Sequence, residues 1–214
     1  MTISEERVES YISSLRRGLP EYLCEMASKA REEGVPIIRD PMIDLMRTLL
    51  ALRRPMTILE IGCAIGFSAL LMKEYAPKGC KITTIESYEP RIIKAKENFC
   101  RYDEEQQITL IEGDAVEKIK EMSTGFDMIF MDAAKAQYVT MYDDVKRLLV
   151  PGGMLLSDNV FQEGDIIESR YAVTRRDRTI HSRMREYLNM LSQDDDYTTT
   201  ILAAADGVAI SVRK

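Results

Sequence analysis

The feature that most constrains this chain begins at residue 57, where short β-branched and apolar runs start to alternate with amphipathic segments. The runs predict five strands, at Thr57–Ile61, Lys81–Ile85, Ile108–Ile111, Phe126–Met131 and Gly153–Ser157. Apolar residues at helical spacing predict four helices, at Gly66–Tyr75, Pro90–Arg101, Ala115–Met122 and Tyr138–Leu149. Strands that alternate with helices are joined by right-handed crossovers, so this part predicts a Rossmann-like α/β fold with a parallel sheet.

Both ends of the chain depart from this alternation. Three helices are predicted before it, around Glu5–Arg17, Glu21–Glu33 and Pro41–Leu52. After it, the pattern predicts a helix and two closing strands, at Thr174–Leu191, Tyr197–Leu202 and Gly207–Val212. A closing pair of this kind predicts an antiparallel hairpin, which makes the expected sheet seven-stranded and mixed. We expect one domain over residues 1–214, with a helical cap at 1–52 and an α/β core at 57–214.

Charge and cysteine content narrow the class of protein. The net charge of −6 argues against a generally cationic nucleic-acid binder, but it is compatible with a local basic face. The four cysteines show no metal-ligand spacing, which favours reduced thiols in the cytoplasm: Cys24, Cys63, Cys80 and Cys100. No signal-like or membrane-spanning apolar run is found in the sequence, so we expect a cytoplasmic protein without a membrane partner.

The turn after the first predicted strand contains two glycines, Gly62 and Gly66. Glycine lets the backbone turn sharply and approach a ligand closely. A dinucleotide site has the pattern GxGxxG, whereas Ala64 stands here at the position of the second glycine. The acid just before the turn, Glu60, suits a cationic ligand better than a pyrophosphate. S-adenosylmethionine, which carries a sulfonium and an ammonium, fits this charge pattern.

An acidic residue lies at or just after the end of each of the first three predicted strands. Glu60 lies on the first, Glu86 ends the second, and Asp114 follows the third. A carboxylate at the end of the second strand can accept hydrogen bonds from the two hydroxyls of a ribose. A carboxylate after the third strand suits the amino group of an adenine. A single acid at such a place is often only a helix N-cap, and for Asp114 alone both interpretations stay open. The ordered series favours a nucleoside-containing cofactor.

Oxygen-bearing side chains also end the fourth and fifth predicted strands. These are Asp132, and the pair Asp158 and Asn159. Adjacent parallel strands bring such side chains to one edge, where an all-oxygen cluster favours Mg²⁺ over zinc or copper. The alternative is that Asp132 caps a helix and Asp158-Asn159 form a turn, and the residues alone leave both open. Lys135 follows Asp132 closely enough to face the same pocket, although an exposed loop lysine is equally compatible with the spacing.

The stretch from Ile58 to Val160 resembles the core of class I methyltransferases, and in particular their metal-dependent O-methyltransferase branch. The segments that carry the resemblance are VPIIRD (35–40), ILEIGCAIGFSALLM (58–72), FMDAAKAQY (130–138), SDNV (157–160) and DGVAISVRK (206–214). Among bacterial members the chain is most similar to the enzymes that methylate 5-hydroxyuridine at the tRNA wobble position. Those enzymes typically have Thr and Tyr where this chain has Cys63 and Phe67, a difference expected to alter packing around the cofactor.

The resemblance implies roles for particular residues. The cofactor S-adenosylmethionine is expected to contact Ile38, Glu60, Gly62, Ser68, Glu86, Gly113, Asp114, Ala115 and Asp132. The metal, Mg²⁺ or Mn²⁺, is expected on Asp132, Asp158 and Asn159. Asp132 and Lys135 are the implied catalytic residues, with the lysine taking the proton of the acceptor hydroxyl. The N-terminal helices are expected to cover the cofactor and to form a homodimer, as they do in relatives.

An arginine-rich segment favours RNA as the acceptor. Residues 166–189 carry a net charge of +3, whereas the rest of the chain carries −9. Arginine suits phosphate recognition, so Arg175, Arg176 and Arg178 are predicted to bind tRNA. The alternative is a charged helix with a solvated face. His181 lies in the same predicted helix and is expected to have a packing or surface role.

Three further functions stay open at this point. A catechol-like acceptor would keep the same chemistry, because two adjacent oxygens can chelate a metal. A nicotinamide oxidoreductase on a Rossmann core is disfavoured by Ala64, and a non-catalytic RNA-binding protein is disfavoured by the ordered acids.

Overall fold

A seven-stranded sheet forms the centre of the computed structural model, which describes residues 5–214. In chain order the strands are β1 (Thr57–Ile61), β2 (Lys81–Glu86), β3 (Ile108–Glu112), β4 (Phe126–Met131), β5 (Leu149–Ser157), β6 (Tyr197–Leu202) and β7 (Val208–Arg213). They lie in the order β3-β2-β1-β4-β5-β7-β6. Strands β1 to β5 are parallel, and β7 is antiparallel to β5 and β6. The predicted mixed sheet with its antiparallel hairpin is confirmed.

The helices lie before, between and after these strands. They are α1 (Glu5–Ser14), α2 (Glu21–Glu32), α3 (Asp40–Arg53), α4 (Phe67–Tyr75), α5 (Glu89–Tyr102), α6 (Ala115–Glu121), α7 (Tyr138–Leu148) and α8 (Arg178–Gln193). A short 3₁₀ turn, Lys135–Gln137, precedes α7. Within residues 5–214, each helix is too short or too polar to cross a membrane.

Two apolar clusters cover the two faces of the sheet. One contains Ile58 and Phe130 and buries residues of α2, α3 and α4. The other contains Leu59 and Ile129 and buries residues of α6, α7 and α8. Neighbouring residues of a strand point to opposite faces, so β1 and β4 supply both clusters at once. This explains why their sequences are mostly apolar and do not alternate regularly between apolar and polar residues.

The order of the strands produces a crevice beside β1. From β1 the chain proceeds to β2 and β3 on one side, and then returns to β4 on the other side. The loops that follow β1 and β4 therefore diverge, and such a reversal leaves a ligand-binding crevice at the carboxyl ends of the strands. The backbone amide of Asp132 donates to the carbonyl of Ile61 at 2.9 Å, which fixes the two loops against each other.

Three predicted boundaries were wrong by three residues or more. Helix α1 ends at Ser14 rather than at Arg17. Helix α8 begins at Arg178 rather than at Thr174. The hydroxyl of Thr174 donates to the carboxylate of Asp177 at 2.6 Å, and the amide of Asp177 donates back to the carbonyl of Thr174 at 3.0 Å. These bonds close a turn, so Arg175 and Arg176 precede the helix. Strand β5 begins at Leu149 rather than at Gly153, because its first residue already pairs with β4.

Candidate active site

A cavity of about 700 Å³ occupies the crevice at the carboxyl ends of β1, β2 and β4. The loops after these strands line it on one side, and the segment Pro36–Arg39 before α3 lines it on the other. Of the predicted cofactor residues, eight line the cavity: Ile38, Gly62, Ser68, Glu86, Gly113, Asp114, Ala115 and Asp132. The volume is of the size that binds cofactors and small substrates in proteins.

The backbone of the glycine loop requires glycine at Gly62. Its φ is +101°, and a Cβ there would lie 2.1 Å from the carbonyl oxygen of Asp132. The residue therefore permits both the turn and the close approach of the loop after β4. Ala64 also has a positive φ, of 46°, which is unfavourable for a residue with a Cβ. The loop consequently needs hydrogen bonds from outside to hold this conformation.

Glu86 supplies one of those hydrogen bonds. Its Oε2 accepts from the backbone amide of Ala64 at 2.8 Å, and its Oε1 accepts from the amides of Ser87 and Tyr88 at 2.9 Å each. The carboxylate is thus fixed by three amides and lines the cavity with 8% of its residue surface exposed. A carboxylate in this position can accept hydrogen bonds from a ligand through its remaining lone pairs.

Glu60 lies beneath the loop and is fully buried. The hydroxyl of Thr84 donates to its Oε2 at 2.5 Å, while its Oε1 has no hydrogen-bond partner among the described residues. Burial raises the pKa of this carboxyl to about 7, although the hydroxyls of Ser68 and Thr84 favour the ionised form. Glu60 does not line the cavity, so its contact with the cofactor stays a prediction.

Asp114 caps a helix and also lines the cavity, so its capping role is confirmed and its contact with the cofactor stays a prediction. Its Oδ1 accepts from the amide of Val116 at 2.8 Å, so it caps α6, and its side chain also lines the cavity. Gly113 precedes it with a φ of +136°, and its amide donates to the carbonyl of Glu86 at 2.9 Å. The ends of β2 and β3 are therefore fixed side by side along one wall of the cavity.

The three predicted metal ligands lie at the opposite end of the cavity from β3. Asp132, Asp158 and Asn159 all line it, and the amide of Asp158 donates to the carbonyl of Met131 at 3.0 Å. Burial and the nearby charge of Asp132 raise the pKa of Asp158 to about 7. The Oδ1 of Asn159 is buried with no hydrogen-bond partner among the described residues. An orphaned amide oxygen beside two carboxylates fits a hard divalent cation.

The cluster has only two carboxylates. In the described part of the chain there is no grouping of three or more His, Cys, Asp or Glu side chains that could hold a metal. The predicted site therefore depends on the amide of Asn159 as its third protein ligand.

Lys135 is buried beside this cluster rather than exposed on a loop. Its Nζ donates to Asp132 Oδ1 at 2.9 Å, to the hydroxyl of Tyr138 at 3.0 Å and to the carbonyl of Asp158 at 2.9 Å. Burial alone would lower the pKa of the ammonium, but Tyr138 and Asp132 outweigh burial and raise it. The lysine thus connects the loops after β4 and β5.

The structure separates the arginines of the basic segment into two groups. Arg183 donates to the carbonyl of Ala136 at 2.6 Å, and Arg185 to that of Ile166 at 3.3 Å. Arg178 is half-buried and donates to the carbonyl of Val173 at 3.4 Å, so its assignment to RNA loses support. Arg175 and Arg176 are exposed. His181 is buried and contacts the carbonyl of Glu168 through Nε2 at 3.0 Å, in agreement with the predicted packing role.

Sequence reasoning missed several residues that line the cavity. They include Arg39, Tyr88, Arg91, Gln137 and Glu163. Tyr88 and Arg91 follow Glu86 closely, and Arg39 adjoins Ile38, so proximity to an assigned residue was the available signal. Glu163 lies in the loop after β5 and has no comparable signal in its own neighbourhood.

The fold and this cavity define a class I methyltransferase that uses S-adenosylmethionine. The family model of the O-methyltransferases matches residues 13–214, and the chain belongs to that family. The resemblance found in the sequence is therefore confirmed at the level of an S-adenosylmethionine-dependent O-methyltransferase of the catechol and caffeoyl-CoA type. This assignment excludes the nicotinamide oxidoreductase.

Individual relatives agree with the family assignment. The catechol O-methyltransferase of Niastella koreensis is 28% identical over 221 aligned positions, which cover 98% of this chain and 97% of that protein. A structure from Staphylococcus aureus, described as a caffeoyl-CoA O-methyltransferase, is 32% identical, with a TM-score of 0.88 over 96% of this chain and 98% of that one. The SAH-bound methyltransferase of Podospora anserina is 28% identical, with a TM-score of 0.85 over 100% and 98% of the two chains.

Proposed function

We propose that this O-methyltransferase transfers a methyl group to the 5-hydroxyl of 5-hydroxyuridine at the tRNA wobble position and gives 5-methoxyuridine. The observation that carries the proposal is the pair of exposed arginines, Arg175 and Arg176, in the loop that joins Asn159 to α8. A polymeric acceptor needs a binding surface outside the cavity, because only its reacting unit fits inside.

The surface of that loop has the chemistry of a nucleic-acid contact. Arg175 and Arg176 are exposed, and Tyr171 has 87% of its surface exposed. Guanidinium groups bind phosphates, and an exposed aromatic ring can stack on an unpaired base. The loop is held against α8 by the contact of His181 with Glu168, and α8 in turn contacts the turn Lys135–Gln137 through Arg183. Helix α8 therefore connects the loop to an element that lines the cavity.

A divalent cation is the second part of the proposal. Asp132, Asp158 and Asn159 would hold Mg²⁺ or Mn²⁺, and the unpartnered oxygen of Asn159 supports this assignment. When bound, such a cation lowers the pKa of a hydroxyl and fixes its position. Asp132 thereby has two roles, as a ligand and as a residue that orients Lys135.

The protein's own residues supply orientation and a proton acceptor. Glu86, Asp114 and the glycine loop bind the cofactor, and the two ends of the cavity hold donor and acceptor in line, where alignment supplies much of the rate. In this mechanism Lys135 Nζ accepts the proton of the acceptor hydroxyl. Asp132 and Tyr138 raise the pKa of this ammonium, and a cation held by Asp132 would lower it and so favour the neutral amine, which is the form that can take a proton.

A catechol-like acceptor is the second candidate. The observation that favours it is the relative from Niastella koreensis, a catechol O-methyltransferase that aligns over nearly the whole chain. Methylation assays with bulk tRNA and with catechol, each with and without EDTA, separate the two. Transfer to tRNA that EDTA abolishes supports the proposal, whereas transfer to catechol alone contradicts the RNA assignment. Methyl transfer that EDTA leaves unchanged contradicts the proposed dependence on a divalent cation.

We also propose that α1 joins two copies of the chain. Val8, Tyr11 and Ile12 on α1 and Leu15 directly after it recur at helical spacing and are between 42% and 66% exposed. A stripe of this kind on a terminal helix suits the same stripe on a second copy, which is the geometry of a two-fold interface. Light scattering of the wild type and of a Tyr11→Glu, Leu15→Glu variant tests it. A dimer that the variant converts to a monomer supports the proposal, and a monomeric wild type contradicts it.

A further inference from the structure

Arg39 lines the cavity and lies near Glu163, in the loop that follows the proposed metal ligands. It stands directly before α3, where its backbone is extended, and its side chain is 50% exposed. Arg91 also lines the cavity, but its guanidinium lies over the ring of Tyr88 near the end of β2. The two arginines therefore serve different ends of the cavity.

The contacts of Arg39 are weak for an arginine. Its Nη2 lies 3.6 Å from Oε1 of Glu163 and 3.9 Å from Oδ2 of Asp206. Both distances exceed the roughly 3.2 Å upper limit of a good N–H···O hydrogen bond. The guanidinium has five donors, so most of its hydrogen-bonding capacity is directed at other partners or at solvent.

The two carboxylates differ in how firmly they are held. The side chain of Asp206 is 7% exposed, and both its oxygens accept from the amide of Glu163 at 2.8 Å. The side chain of Glu163 is 85% exposed, so its ion pair with Arg39 is of the solvent-exposed kind that contributes little stability. Glu163 can therefore leave Arg39 at small cost, whereas Asp206 stays in place.

Arg39 shares the cavity with the proposed metal ligands. Asp158, Asn159 and Glu163 all line it together with Arg39, and Glu163 stands four residues after Asn159 in the chain. An acceptor whose hydroxyl reacts beside Asp158 would thus bring its other substituents close to the guanidinium.

We propose that Arg39 determines acceptor specificity by binding an anionic oxygen group of the acceptor, a phosphate or a carboxylate, which replaces Glu163 as its partner. The inference rests on the O-methyltransferase activity of the family, and only its phosphate form also depends on the proposed action on RNA. A planar guanidinium suits both groups, because it can donate two parallel hydrogen bonds to either. Glu163 then serves as an internal competitor for the same site.

Matched acceptor pairs test the proposal by calorimetric titration into the enzyme saturated with S-adenosylhomocysteine and Mg²⁺. One pair is catechol and 3,4-dihydroxybenzoate, and the other is 5-hydroxyuridine and its monophosphates. On the wild-type enzyme, in at least one pair, we expect the anionic member to bind about tenfold more tightly than the neutral member. One hydrogen bond between charged groups is enough to give a difference of this size. Arg39→Gln should reduce that ratio to about one, while Glu163→Gln should increase it.

Arg54→Gln is the control, because it removes the same charge at the other end of α3, roughly 20 Å away for a helix of this length. It should leave the ratio at the wild-type value.

The outcomes identify the acceptor. If only 3,4-dihydroxybenzoate binds more tightly than its neutral partner, the acceptor is a small acid. If only the monophosphates bind more tightly than 5-hydroxyuridine, the acceptor is a nucleotide. Equal binding within both pairs overturns the proposal, as does a preference that Arg39→Gln leaves intact. If Arg39→Gln lowers the melting temperature, Glu163→Gln decides alone, and an unchanged ratio in that variant overturns the proposal.

Discussion

The carboxylate of Glu86 accepts a hydrogen bond from the backbone amide of Ala64 at 2.8 Å and so ties the end of β2 to the glycine loop after β1. Ala64 has a φ of +46°, which is unfavourable for a residue with a Cβ. The acid that the sequence assigns to the cofactor therefore also holds the loop in its binding conformation.

Replacing Glu86 should weaken cofactor binding, because its carboxylate is expected to contact the cofactor and also holds the glycine loop in its conformation. We expect Glu86→Gln to reduce the affinity for S-adenosylhomocysteine by tenfold or more, since hydrogen bonds to a charged group contribute about 1.5–3 kcal/mol. Titration calorimetry measures it. Glu112→Gln is the matched control, because Glu112 is the register partner of Glu86 on β3 but is exposed and pairs with Lys96. Equal losses in both variants would contradict the role of Glu86.

A methyl group at Gly62 should destabilise the protein more than one at Gly79. Both glycines have a positive φ, but a Cβ at Gly62 would lie 2.1 Å from the carbonyl of Asp132, while one at Gly79 would meet nothing within 4 Å. Gly79→Ala should cost about 1–2 kcal/mol from its backbone conformation alone. Gly62→Ala adds a steric clash and should also abolish cofactor binding. Denaturant unfolding of both variants measures the loss in the free energy of unfolding. Equal losses would contradict this prediction and would show that the loops after β1 and β4 separate easily.

Removal of the divalent cation should stop turnover and depend on Asn159. We expect EDTA to abolish methyl transfer and added Mg²⁺ or Mn²⁺ to restore it. Asn159→Ala should weaken Mn²⁺ binding by tenfold or more, because the amide oxygen is one of only three proposed protein ligands. Asn189→Ala on α8 is the control. Calorimetric titration with Mn²⁺ that gives the same affinity for wild type and Asn159→Ala would contradict the metal assignment.

The buried carboxyl of Glu60 should make stability fall as pH rises. Its pKa is about 7 in the folded protein because of burial, against an ordinary value of 4.5, so the folded state keeps a proton that the unfolded state loses. The free energy of unfolding should therefore decrease between pH 4.5 and 7, by up to about 3 kcal/mol. Asp158 contributes in the same direction, so the difference between wild type and Glu60→Gln isolates Glu60. Parallel pH profiles of the two proteins would exclude this effect.

The exposed arginines should determine how RNA binding depends on salt. We expect the double variant Arg175→Gln, Arg176→Gln to raise the KM for tRNA and to reduce the slope of log K against log salt by about 1.4, the value for two contacts to a single strand. Arg101→Gln, Lys120→Gln removes the same charge from exposed sites on α5 and α6 and should leave the slope unchanged. Equal slopes for the wild type and the Arg175, Arg176 variant would place the RNA surface elsewhere.

The sequence by itself determined the alternation of strands and helices, the glycine loop and the acids at the strand ends. These features are local: side-chain period and backbone conformation depend on residues near in the chain. Because parallel strands share one edge, local assignments at the ends of β1 to β5 were enough to bring Glu86, Asp114, Asp132 and Asp158 to one cavity.

Only the tertiary structure decided what each of these groups can do. Packing against α4 buries Glu60 and moves its pKa, and the turn at Thr174–Asp177 removes Arg175 and Arg176 from the helix that periodicity predicts. Arg39 is brought to Glu163 and Asp206 by the docking of the loop after β5 on the β6–β7 turn. Such contacts join residues distant in the chain, and they depend on how whole elements pack, which no local pattern encodes.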